Sequence, residues 1–128
     1  TPLNLVECLA MGIDMFDCVL PTRNGRNATA FTPFGHLRLR NARYASDGAV
    51  IDAGCDCSAC RGGFSRSYIR HLFQAGEMLG PILVSLHNLR HFQRYLLDIR
   101  RAILENSWPC LAQRWPVTVD HHRKTLDP

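Results

Sequence analysis

Three cysteines stand within the short stretch Cys55-Asp56-Cys57-Ser58-Ala59-Cys60. Thiolates one and two residues apart can converge on a single ion from a tight turn, and zinc takes four sulfur or imidazole ligands in tetrahedral geometry. The fourth ligand must come from elsewhere. His71, His87 and His91 all lie downstream on segments that read as helical. Of these, His87 has the best spacing, because a Gly80-Pro81 break between two helices can return it over the knuckle. Three sulfurs and one imidazole close the shell and leave no position for an activated water, so such a site is structural. The plainer alternative is three free core thiols, and so dense a group of reactive sulfurs weighs against it.

A second stretch runs from Gly12 to Asn27, Gly-Ile-Asp-Met-Phe-Asp-Cys-Val-Leu-Pro-Thr-Arg-Asn-Gly-Arg-Asn, where carboxylates interrupt an apolar run just ahead of a basic segment. Asp14 and Asp17 are an odd number apart, so on a strand they face opposite ways and cannot form a paired-carboxylate site. Asp17 can be a buried structural carboxylate or a reacting one. Arg23 and Arg26 can be solvated surface or an anion contact.

The elements that would carry these groups follow from periodicity and breakers. Residues 2–11 read as an amphipathic helix ended by Gly12, Met15 to Leu20 as a short buried strand stopped by Pro21, and Thr22 to Asn27 as a polar loop. Ala30 to Tyr44 alternates around a Thr-Pro-Phe-Gly turn at 32–35 and predicts a β-hairpin, with Leu37 and Leu39 on one face and His36, Arg38 and Arg40 on the other. Ser65 or Ser67 can cap a helix containing Tyr68, Ile69, Leu72 and Phe73. Pro81 suits the first turn of a longer helix reaching about Glu105, one face marked by Ile82, Leu86, Leu89, Leu96 and Ile103. From Trp108 onward Pro109, Pro116 and the charged Asp120 to Lys124 stretch lose periodicity and predict an irregular tail.

Composition bounds the classes. The 128 residues are 46% hydrophobic and 20% charged, which is ordinary for a folded domain or a piece of one. The net charge of +4 permits an anionic partner without demanding one. No apolar run of about 18 residues is present, so a membrane-spanning helix is not expected. Six cysteines, three of them clustered, suit metal binding in a reducing compartment better than a disulfide framework, which points to the cytoplasm. Thr1 in place of Met, followed at once by a helical pattern, reads as a fragment.

The two motifs together resemble the tRNA-guanine transglycosylase family, bacterial type, over roughly Leu5 to Ser107. Gly12 to Asn27 is similar to the family's nucleophile strand and anticodon-loop segment, and Cys55, Cys57 and Cys60 with His87-Asn88 are similar to its zinc site. Arg40 to Tyr44, Ser65 to Tyr68 and Leu86 to Leu89 fall where the family places its linking segments. Arg61 to Phe64 is one residue longer than the family's usual link.

The resemblance implies that Asp17 is the catalytic nucleophile, that Thr22, Arg23, Asn24, Gly25 and Arg26 bind RNA at the wobble position, and that Cys55, Cys57, Cys60 and His87 hold structural Zn2+. It implies an α/β fold: the C-terminal portion of a (β/α)8 barrel (1–27), an inserted hairpin and zinc-binding subdomain with a closing helix (28–107), then the tail (108–128). It implies exchange of guanine in tRNA for a 7-deazaguanine-type base through a covalent aspartyl-RNA intermediate, with a homodimer open to the full-length protein. A barrel needs about 250 residues. The base pocket and second catalytic carboxylate would then lie upstream of Thr1, and the piece alone would be inactive. The other reading is a noncatalytic zinc-dependent RNA-binding or subunit-docking module.

Overall fold

The computed structural model describes residues 2–118, so the charged stretch from Asp120 to Lys124 lies outside the described residues. The first helix, α1, spans Pro2–Ala10 and ends through Gly12 at φ +89°, a left-handed conformation that favours glycine. The hairpin is β1, Thr29–Thr32, paired antiparallel with β2, Gly35–Arg38, across the Pro33-Phe34 turn. Leu37 and Leu39 are buried while Arg38 and Arg40 are exposed, as the alternation predicts. The strands are shorter than the expected Ala30 to Tyr44, because Asn41 caps a 3-10 turn at Ala42–Tyr44 by accepting from the Arg43 amide.

Two expectations near the N-terminus are corrected. Met15 to Leu20 forms no strand: residues 15–19 have no regular structure and are largely exposed, with Asp17 in solvent, and Leu20 already opens a helix. An apolar run becomes a barrel strand only when neighbouring strands take up its amides and carbonyls, and the sheet among the described residues has just two strands, β1 and β2. Thr22 to Asn27 is likewise not a loop. Helix α2 spans Leu20–Arg26 with Pro21 in its first turn, where the missing N–H is no loss.

After the knuckle, which contains the single-turn helix α3 at Ser58–Arg61, Ser65 caps α4, Arg66–Ala75, by accepting from the Tyr68 amide at 3.1 Å. Gly76 ends α4 at φ +75°. The longest element, α5, spans Leu79–Glu105 and carries Pro81 in its first turn. Its buried face holds Leu83, Val84, His87, Asn88, His91, Phe92, Tyr95, Ile99 and Ala102. The expected face of Ile82, Leu86, Leu89, Leu96 and Ile103 is instead exposed, because α5 is apolar on two sides and its inner side also carries polar groups.

The tail is also corrected. Trp108–Arg114 forms α6, followed by a 3-10 turn at Pro116–Thr118. Leu111 and Trp115 are buried with Tyr95, Ile99 and Ala102, and Leu5, Val6 and Leu9 of α1 cover this second core. Trp115 donates its indole N–H to Asp98 at 2.8 Å, and the Val117 amide reaches the Pro33 carbonyl at 3.0 Å, tying the tail to the hairpin turn. The main core joins the hairpin, the knuckle, α4 and the first half of α5.

Candidate metal centre

Cys57 occupies the N-cap of α3, where its sulfur accepts from the Cys60 amide at 3.4 Å. One turn thus presents two sulfurs on one side, with Cys55 just before it. Helix α5 crosses over this turn and delivers His87. The ligand atoms of Cys55, Cys57, Cys60 and His87 all lie within 4.8 Å of one another, and all four residues are buried. His87 Nδ1 is 3.6 Å from Cys57 Sγ and 3.4 Å from Cys60 Sγ. Tetrahedral bonds of zinc to sulfur and nitrogen put such atoms about 3.5 Å apart. The donor set and its spacing fit zinc.

Of the three histidines left open by the sequence, only His87 joins the cluster. His71 is exposed on α4. His91 lies one turn beyond His87, its ring against Trp115 at 5.1 Å and Phe92 at 5.6 Å, with neither nitrogen hydrogen-bonded.

The sulfurs compete for protons. Hydrogen bonds from Cys55 and Cys60 hold the Cys57 thiol down at about 3, while Cys55 and Cys57 push Cys60 up. A divalent cation removes that competition, since it replaces the shared protons and stabilises all three thiolates. His87 is oriented by its other nitrogen: Nε2 lies 2.7 Å from the Phe31 carbonyl, an acceptor, so Nε2 carries the proton and Nδ1 faces the sulfurs unprotonated.

Two side chains support the cluster in ways that the sequence does not show, although Asn88 belongs to the His87-Asn88 motif. Arg90 grips Asp56 with both edges of its fork, Nε to Oδ1 at 2.7 Å and the terminal nitrogen to Oδ2 at 2.6 Å, and holds that carboxyl at about 2. This pins the middle of the knuckle to α5, although the pair is exposed and salt-screened. Asn88, next to the candidate ligand, is fully buried and bonded on both sides of its amide. Nothing local marks either one, because the partners are 34 and 57 residues away.

The RNA-facing candidates divide by face. On α2, Arg23 and Arg26 are exposed, three residues apart, and Thr22 and Asn24 are partly buried. Gly25 is buried against α5, where a Cβ would meet the Ser85 backbone at 2.8–2.9 Å. Asp17 stands apart from the metal centre in the exposed segment before α2.

The family model described as queuine tRNA-ribosyltransferase matches residues 1–119. The chain belongs to that family. Among curated queuine tRNA-ribosyltransferases, it is 55% identical over 102 residues to one from Stenotrophomonas maltophilia (strain K279a), covering 80% of this chain and 27% of the relative. It is 54% identical over 103 residues to one from Methylibium petroleiphilum, covering 80% of this chain and 27% of that relative. For one from Xanthomonas oryzae pv. oryzae the identity is 50% over 107 residues, covering 84% and 28%. The chain therefore spans little more than a quarter of the length of these queuine tRNA-ribosyltransferases.

Proposed function

We propose that this member of the queuine tRNA-ribosyltransferase family supplies the attacking carboxylate and an RNA-reading helix to an enzyme that exchanges guanine at the tRNA wobble position for a 7-deazaguanine precursor of queuosine. The observation that carries this reading is the arrangement around α2: Asp17 is exposed three residues ahead of a helix that turns Arg23 and Arg26 outward together. A cationic face beside a free carboxylate suits an extruded nucleotide, whose phosphates the arginines can hold while its ribose meets the acid.

In this reading Asp17 attacks the ribose anomeric carbon, the glycosidic bond to guanine breaks, and guanine leaves with a proton supplied by an acid outside this chain. A nitrogen of the incoming 7-deazaguanine then attacks the same carbon, gives up its proton, and expels the Asp17 carboxylate. A carboxylate suits both steps because it can bond to an oxocarbenium-like centre and depart from it. The Cys55, Cys57, Cys60 and His87 set would hold zinc in a closed shell that supplies rigidity and no chemistry. The work is done in the cytoplasm, where tRNA is at hand and thiolates stay reduced. The chain alone would not turn over, since one exposed carboxylate without a gripped base lacks the positioning that the reaction needs.

The test is Asp17→Asn in the full-length enzyme. The amide keeps the size and loses the nucleophile, so the covalent RNA adduct should vanish from denaturing gels while tRNA binding persists. A normal adduct with the Asn variant would show that another residue attacks.

A further inference from the structure

Asn88 reaches three separate points of the chain from one fully buried amide. Its Oδ1 accepts from the Phe31 N–H at 2.9 Å, and its Nδ2 donates to the Pro21 carbonyl and to the Thr29 carbonyl, each at 2.9 Å. Pro21 and Thr29 lie on either side of Thr22 to Arg26. A single side chain therefore ties both ends of that segment to α5. One turn earlier on the same helix, Ser85 lies so close to the middle of the segment that a Cβ on Gly25 would sit 2.5 Å from its Oγ and 2.8 Å from its Cα. The segment from Pro21 to Thr29 is thus seated at three points, two of them on α2, and the outer face of α2, with Arg23 and Arg26, is left to solvent.

We propose that Asn88 is a positioning residue for RNA recognition: by bracketing Pro21 and Thr29 from the zinc helix, with Gly25 seated on Ser85, it fixes the direction in which Arg23 and Arg26 present their charges. This rests on the reading of α2 as the RNA-facing helix. A buried amide with two donors in use is hard to replace. An aspartate keeps the acceptor for Phe31 and loses both donors, so it loosens the bracket more than it loosens β1. The gain from two guanidiniums held at a fixed spacing is an entropic one, spent before RNA arrives.

The experiment compares Asn88→Asp, Gly25→Ala, Arg23→Ala and Arg26→Ala in the full-length enzyme, reading zinc content, KM for tRNA and kcat. For Asn88→Asp we expect one zinc per chain, KM raised about tenfold and kcat at saturating tRNA within about threefold, the pattern of lost uniform binding. Gly25→Ala leaves the metal ligands and Asn88 in place, forces α2 away from α5, and should give the same split, so the proposal survives a poorly folding Asn88 variant. An unchanged KM with zinc retained would overturn it. Loss of zinc in proportion to lost tRNA binding in Asn88→Asp, beside a Gly25→Ala variant with unchanged KM, would also overturn it, since Asn88 would then serve the metal site. Silent Arg23→Ala and Arg26→Ala variants would overturn the RNA reading and this inference with it. Effective arginine variants beside silent Asn88→Asp and Gly25→Ala would overturn this inference alone.

Discussion

His87 donates its Nε2 proton to the carbonyl of Phe31 at 2.7 Å while its other nitrogen faces the sulfurs of Cys57 and Cys60. One imidazole thus joins the hairpin, the knuckle and the long helix. A ligand held in this way binds metal with its tautomer and ring plane already set.

The purified chain should therefore carry one zinc, and His87→Ala should lower the content towards zero. Because a structural ion contributes folding free energy, a strong chelator should also lower the thermal midpoint and release the hairpin from α5. Metal analysis beside a melting curve checks this. Full zinc occupancy in the His87→Ala protein would show that a different fourth ligand operates.

Trp115 should be the most sensitive position in the second core. It is fully buried, its ring lies 5.0 Å from that of Tyr95, and its indole N–H is committed to Asp98. Trp115→Ala should cost about 3–5 kcal/mol, the usual range for emptying an aromatic site. Denaturant unfolding with zinc held constant measures it.

His91 should make the fold acid-sensitive. Burial first, and then the neighbouring His87, lower its pKa to about 3 from an ordinary 6.5. The folded state accepts the neutral ring and resists the charged one. That contribution is complete above about pH 6.5 and is lost progressively as the pH falls from there towards 3. His91→Leu removes both unbonded nitrogens and should flatten the loss, with stability at pH 7.5 unchanged or raised by about 1 kcal/mol. Unfolding curves in steps from pH 7.5 to 5 decide it, and an equally steep loss in the variant would assign the sensitivity to the thiolates.

The chain should associate with itself at high concentration. Ile82, Leu86, Leu89, Leu96 and Ile103 form a stripe along α5, each 40–50% exposed. An apolar stripe of that length in water favours a covering partner. Sedimentation should show mass rising with concentration, and Leu86→Lys with Leu89→Lys should reverse it. A monomer at every concentration would count against the stripe as a contact surface.

The metal cluster was legible in the sequence because Cys55, Cys57 and Cys60 are neighbours, and spacing alone makes them converge. The hairpin was legible for a similar reason, since Thr-Pro-Phe-Gly fixes a turn locally. The inner face of α5 is not legible, because it is built partly from His87, Asn88 and His91, which a count of apolar residues leaves out. Helices α2 and α6 are hidden in the sequence because proline reads as a breaker, yet Pro21 and Pro109 sit in first turns where proline fits. Gly25 read as a loop glycine, and no local pattern shows that a helix 60 residues away lies against it.

Cys60 and His87 are 27 positions apart along the chain, on two different helices, α3 and α5. An ion that bonds to both closes that loop as a disulfide would, restricting the unfolded chain as well as fastening the folded one. Unlike a disulfide, this crosslink needs no oxidant and can be withdrawn by a competing chelator. Three of its four ligands stand within one short turn and only His87 comes from α5, so zinc taken up by the knuckle would leave His87 to arrive last. Metal present during refolding should speed the docking of α5, whereas metal added afterwards would have to enter a site already closed over by hydrogen bonds to Phe31.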